Sequence, residues 1–271
     1  MLLQINETVS FLKRELIEIP KVAIVLGTGL GNLVDELSVT KTIPYEQIPH
    51  FPVSTVDGHV GNLIAGNLNG VPILVMQGRF HYYEGYTMKE VTYPIRVMKS
   101  LGIKYLFLSN ASGGLNSDFE VGDVMIITDH INMFPEHPLH GKNDPELGTR
   151  FPDMSEAYSK RLIEKARIIA ENQHIKIQEG VYVGVQGPTF ETPAEYKFFR
   201  IIGGDAVGMS TVPEVIVAIH AGLEVFALSV ITDLGVEGKI VEVSHNDVQK
   251  AANNAQPKMT LLVKELLKTL D

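Results

Sequence analysis

Short apolar runs rich in β-branched residues, most of them closed by glycine or a small polar residue, alternate with segments of helical period along this 271-residue chain. The runs are 21–27 (KVAIVLG), 62–68, 71–76, 104–110 (KYLFLSN), 123–131 (DVMIITDHI), 180–187 (GVYVGVQG) and 224–233 (EVFALSVITD). Runs of this length and composition read as buried strands. Helical spacing occupies 5–18, where Val9, Leu12 and Leu16 share a face, with Asn6 as cap and Pro20 as stop. It returns at 87–101, 155–173, 192–202, 212–222 and 245–268, with a short strand between 202 and 212. The alternation indicates an α/β fold with a central sheet flanked by helices. The sheet should be mixed, because Asn69-Gly70 joins two of the runs as a hairpin. No repeat, low-complexity tract or linker divides the chain, so a single domain over residues 1–271 is expected.

A formal net charge of −9 argues against a nucleic-acid or membrane-surface role, since polyanions are repelled at long range. It leaves room for a small anion in a local positive pocket. The absence of cysteine removes disulfide and thiolate chemistry and suits a reducing compartment. The first residues carry acids and bases too early for a secretory signal, and the longest apolar stretch, 215–231, is interrupted by His220, Gly222 and Glu224. A cytoplasmic protein is expected.

Open α/β sheets bind ligands beyond the carboxyl ends of their strands, and the chemistry-bearing segments of this sequence lie there. Gly27-Thr28-Gly29-Leu30-Gly31 follows the first strand and reads as a glycine turn opening a helix, with backbone N–H groups and the Thr28 hydroxyl offered to an anion. Its spacing is GxGxG, which is not the dinucleotide fingerprint, and no GxxxxGK(S/T) occurs. The stretch QGRFHYYEGY at 77–86 supplies Arg79 for bidentate anion contacts, His81 as a further donor and Tyr83 as a flat face with a hydroxyl. A plainer reading pairs Arg79 with Glu84 and lets the tyrosines cover the core. His59 sits between glycines, and SNASGGLN at 109–116 lets a ligand approach the backbone at Asn110 and Ala111. Phe190 and Glu191 adjoin in GPTFETPAE, an aromatic face beside an acceptor that suits a heterocycle with ring N–H groups. The same segment is a helix start, with Thr192 as cap, Pro193 at the first position and Glu195 at the third. Ser210 can contact an anion or cap the following helix; Asp233 ends a strand, and His245 opens the last helix. Asp129, His130, Glu136, His137 and His140 raise a metal reading, but the intervening prolines and the lack of helical i, i+4 geometry argue against one.

Taken in order, GTGLG, STVDGHVG, MQGRFHYYEGY, SNASGGLN, GPTFET and DAVGMSTVPEVIVA resemble the trimeric purine nucleoside phosphorylases, from about residue 6 to 268. Each motif alone is a modest signal; all of them in order are specific. The resemblance implies a phosphorylase/hydrolase-like sheet and a phosphate site at Thr28 (where serine is commoner), His59, Arg79, His81, Ala111 and Ser210. It implies ribose contacts at Tyr83, Met209 and His245, and a base pocket of Phe190, Glu191, Val207 and Asp233. Phe151 matches an aromatic lent to a neighbouring subunit's site, which implies a homotrimer. Orthophosphate is then a co-substrate, and no cofactor or metal is expected.

The implied reaction is attack of orthophosphate on C1′ as the bond to the purine stretches, with His81, Glu191 and Asp233 as catalytic groups. Glu191 and Asp233 would take N–H groups or assist protonation of the leaving base. The chain departs from the family at Asp233, where asparagine is usual, and more mildly at Ser112, where alanine is frequent. An ionised carboxylate accepts from a 6-amino group but opposes a 6-oxo acceptor, so Asp233 either widens specificity towards adenosine, is protonated, or is displaced. Methylthioadenosine phosphorylase is the runner-up: Asp233 favours it, whereas His245 suits a 5′-hydroxyl. A non-catalytic purine sensor and a nicotinamide oxidoreductase fit less well.

Overall fold

The structure, a computed structural model, describes residues 1–28, 30–53, 55 and 60–270. Among the described residues nine strands form one mixed sheet: β1 (Val22–Leu26), β2 (Ser38–Pro44), β3 (Asn62–Leu68), β4 (Val71–Gln77), β5 (Tyr105–Gly114), β6 (Val124–Asn132), β7 (Ile177–Gly184), β8 (Ala206–Gly208) and β9 (Glu224–Leu234). Around them lie α1 (Leu2–Glu15), α2 (Met88–Val91), α3 (Tyr93–Leu101), α4 (Lys160–Asn172), α5 (Pro193–Ile201), α6 (Val212–His220) and α7 (His245–Leu267). This is the expected single-domain α/β fold, and β3 and β4 meet antiparallel across the expected Asn69-Gly70 hairpin.

The sheet runs β2-β3-β4-β1-β5-β8-β7-β6-β9, and β9 then returns to pair with β5. The last five strands therefore close on themselves. Strand β5 can serve three neighbours because its first half, Tyr105–Leu108, pairs with β1 while Gly113–Gly114 pairs with β8. Strands β1, β4, β5 and β9 run parallel, so their carboxyl ends emerge on one side. Strand β1 is apolar throughout and all five of its residues are buried, as a continuous Val/Ile/Leu run requires when both faces are covered.

Several boundaries differ from the sequence reading, each for a local reason. The helix expected over 87–101 breaks at Thr92, because Pro94 lacks the N–H that would continue the ladder and starts a new helix instead. The glycine turn after β1 leads into a 3₁₀-helix, Gly31–Glu36, rather than an α-helix. The strand expected at 180–187 lies at Ile177–Gly184, its polar start Gln178–Glu179 being paired with β6. Helix α1 starts after Met1 rather than at Asn6, and α4 starts at Lys160, where Ser159 caps Leu162. Strand β2 escapes the pattern because it is an edge strand whose Ile43 alone is buried.

Candidate active site

Beyond the carboxyl ends of β1, β4, β5 and β9 lies a cavity of about 400 Å³. Thr28, Arg79, His81, Ala111, Ser210, Tyr83, Met209, His245, Phe190, Glu191, Val207 and Asp233 all line it. The structure thus brings together every site residue expected from sequence save two. Phe151 lies elsewhere, 85 % exposed under the Arg150 guanidinium, beside a second cavity shared with His130, His137 and His140. His59 lies outside the described residues, as does Gly29. Among the described residues no group of three or more His, Cys, Asp and Glu is placed to hold a metal ion, so the 129–140 histidines do not converge as ligands.

At one end the cavity is built around Arg79, 2 % exposed. Its guanidinium donates to the Ser109 carbonyl at 2.5 Å and to both carboxylate oxygens of Glu214 at 3.2–3.3 Å, rather than to Glu84. A buried guanidinium needs such partners, since an unpaired buried charge costs several kcal/mol, of order 3–5 when a partner is removed. Gly27 makes room for it: a Cβ there would come within 2.5 Å of Nη1 and 2.3 Å of the Ser109 oxygen. Glu214 is the third residue of α6 and also accepts from the Thr211 N–H at 2.9 Å, closing a capping box. Thr211 stands at φ +70°, a strained conformation for a β-branched residue, immediately after Ser210.

His81 is fixed from the other side. Glu84 accepts from its backbone N–H at 2.7 Å and meets Nδ1 at 3.0 Å, while the Tyr83 ring stacks on the imidazole at 4.7 Å. Burial holds the imidazole below its ordinary pKa, the neighbouring Arg79 adds to the effect, and the Glu84 contact opposes it. Burial works against Glu84's charge, but hydrogen bonds from His81 and Thr55 outweigh it and bring its pKa down to about 2. Glu84 so fixes the ring while leaving its other face to the cavity.

A buried polar file runs beneath the middle. Ser112 meets Ser229 at 2.6 Å, Ser229 donates to the Asn110 amide oxygen at 2.5 Å, and the Asn110 amide donates to Thr211 at 2.8 Å. The unusual Ser112 hydroxyl is thereby satisfied. Gly208 lets Tyr182 close in, since a Cβ would meet its hydroxyl at 2.3 Å, and that hydroxyl accepts from the Ser210 N–H at 3.4 Å.

The far end holds an acid pair. Phe190 is half-exposed on the loop before α5, and Glu191 follows it. Burial, reinforced by the Asp233 carboxylate, pushes Glu191 up to about 7. Asp233 is 7 % exposed and its pKa is also raised by burial, although Thr232 and Tyr196 hydroxyls donate to it. The sequence reading missed Glu84's orienting role, Glu214 and Tyr196. Glu84 stands three residues after His81, a capping spacing, and Glu214 stands three after Thr211, so spacing alone could have flagged both.

The chain matches the phosphorylase superfamily over residues 21–268. It is 49% identical to purine nucleoside phosphorylase 1 of Geobacillus stearothermophilus, over 98% of this chain and 97% of that one. With the purine nucleoside phosphorylase of Bos taurus the identity is 47%, over 93% and 89%. Among solved structures, isoform 2 of purine nucleoside phosphorylase from Schistosoma mansoni, in complex with cytosine and ribose-1-phosphate, superposes with a TM-score of 0.94 at 40% identity, covering 99% of this chain and 96% of that one. The S. mansoni enzyme in complex with adenosine gives 0.93 at 40% identity, covering 98% and 97%.

Proposed function

The chain belongs to the phosphorylase superfamily, among its purine nucleoside phosphorylases, and from that premise we infer that it cleaves the N-glycosidic bond of purine (deoxy)ribonucleosides with orthophosphate, releasing the base and a pentose 1-phosphate. The observation that carries this reading is that Arg79 and His81, Tyr83 and Met209, and the acids Glu191 and Asp233 all line one cavity.

Orthophosphate is bound by Arg79, His81, Thr28, Ser210 and the backbone at Ala111, the sequence resemblance adding His59 to the set. Support comes from the buried guanidinium and from an imidazole whose Nδ1–H is turned to the ionised Glu84, which leaves Nε2 to accept from the hydroxyl of hydrogen phosphate. Tyr83, Met209 and His245 hold the ribose; Phe190 and Val207 sandwich the purine. The phosphate dianion beside C1′ stabilises the oxocarbenium-like state, and holding both reactants together removes much of the entropic cost. Glu191 and Asp233 receive or return protons on the departing purine. The reaction needs no metal or organic cofactor, phosphate being a co-substrate. The protein works in the cytoplasm in purine salvage, as a homotrimer in which Phe151 completes the neighbour's site. An aromatic ring 85 % exposed beside a cavity of about 570 Å³ is consistent with a contact between copies.

Asp233 in contact with the cavity favours a second reading, an adenosine-accepting or methylthioadenosine-cleaving enzyme. Phosphate-dependent base release from inosine, guanosine, adenosine and methylthioadenosine, measured side by side, tests both. Fast inosine and guanosine cleavage with adenosine slow supports the main reading; adenosine or methylthioadenosine fastest of all transfers the case to the second.

A further inference from the structure

Two carboxyl groups and one phenol meet at the base end of the cavity. The Tyr196 hydroxyl, on the first turn of α5, donates to Asp233 Oδ2 at 3.3 Å and is within hydrogen-bonding reach of Glu191. Thr232 donates to the other Asp233 oxygen at 3.0 Å, the nearer of its two acceptors. Tyr196 is 4 % exposed and its place is built rather than incidental: a Cβ on Gly235 would come within 2.2 Å of its ring. Glu195, on the same helix, is the further acid acting on Glu191.

Burial, with the Asp233 carboxylate adding to it, raises Glu191 to about 7, so this acid keeps its proton up to about neutrality. Where that proton sits decides which base fits. Adenine offers an acceptor at N1 and donors at its 6-amino group, which a protonated Glu191 beside an ionised Asp233 would match. Hypoxanthine offers a donor at N1 and an acceptor at O6, which needs the opposite arrangement. Asp233 receives two hydroxyl donors on its two oxygens, and donors to a carboxylate favour its ionised form.

We propose that Tyr196 is a specificity-determining positioning residue: its hydroxyl, with that of Thr232, keeps Asp233 as the ionised member of the pair and leaves the proton on Glu191, tuning the pocket to 6-aminopurine nucleosides. The proposal rests on the reading of the chain as a purine nucleoside phosphorylase.

Tyr196→Phe keeps the ring and removes the donor. The readout is the ratio of kcat/KM for adenosine to that for inosine, with phosphate saturating, from pH 5.5 to 8.5. Loss of one hydrogen bond to a charged group should lower this ratio about tenfold. The pH at which adenosine cleavage declines should shift as well. Asp233→Asn should lower the ratio too, and Tyr196→Phe added to Asp233→Asn should change it no further. Equal losses on both nucleosides, or an undiminished effect of Tyr196→Phe in the Asp233→Asn background, would reduce Tyr196 to a packing residue and overturn the proposal. A wild-type protein that cleaves neither nucleoside overturns the phosphorylase reading and the proposal with it. One that cleaves both, with the ratio unmoved in Tyr196→Phe, overturns the proposal alone.

Discussion

Glu191 is the residue whose environment most alters its chemistry. Its carboxyl is pushed from 4.5 to about 7, chiefly by burial and then by Asp233. A folded-state pKa above the unfolded one means the group's contribution to stability is whole below about pH 4.5 and is lost as pH rises through about 7. The melting temperature should therefore decline between pH 5 and 8 by an increment that Glu191→Gln lacks; parallel curves for the two proteins would refute the assignment. Places in the cavity wall were legible wherever a rare chemistry stood in a distinctive local motif, as with Arg79, His81 and Glu191. Contacts were illegible where the partner is remote: Arg79 meets Glu214 across 135 positions, and Tyr196 meets Asp233 across 37. Nothing local in the sequence around either acceptor announces its donor.

Elements fix the site by where they begin. Helix α5 starts with Thr192 accepting from the Glu195 N–H and Glu195 accepting from the Thr192 N–H, a box the sequence already displayed. That start anchors the loop carrying Phe190 and Glu191. Thr192→Ala should cost roughly 1 kcal/mol of stability. It should also raise the KM for nucleoside more than that for phosphate, since only the base end depends on this loop; equal rises would show that the loop is held by something else. Buried strands were readable from their continuous apolar runs. β2 was not, because only one side of it is paired and its exposed serine and threonines resemble a loop. The 3₁₀ character of Gly31–Glu36 was equally hidden: apolar spacing there suits either helix, and only the hydrogen bonds separate them.

At the scale of the whole molecule, alternation of strands and helices announced the α/β class, yet not the closing of five strands through the β5–β9 pairing. Order along the chain does not say which strand shares an edge with which, and β5 shares its edges with three. The proposed assembly belongs to this scale too. Phe151→Ala should leave a three-chain mass in sedimentation while raising the nucleoside KM; an unchanged KM would remove Phe151 from the neighbour's site. In the proposed reaction the bond is broken by phosphate rather than by water, and the sugar released from inosine distinguishes the two. With orthophosphate present, hypoxanthine and ribose 1-phosphate should form in equal amounts, and without it turnover should cease. Free ribose formed at the same rate in the absence of phosphate would contradict the account.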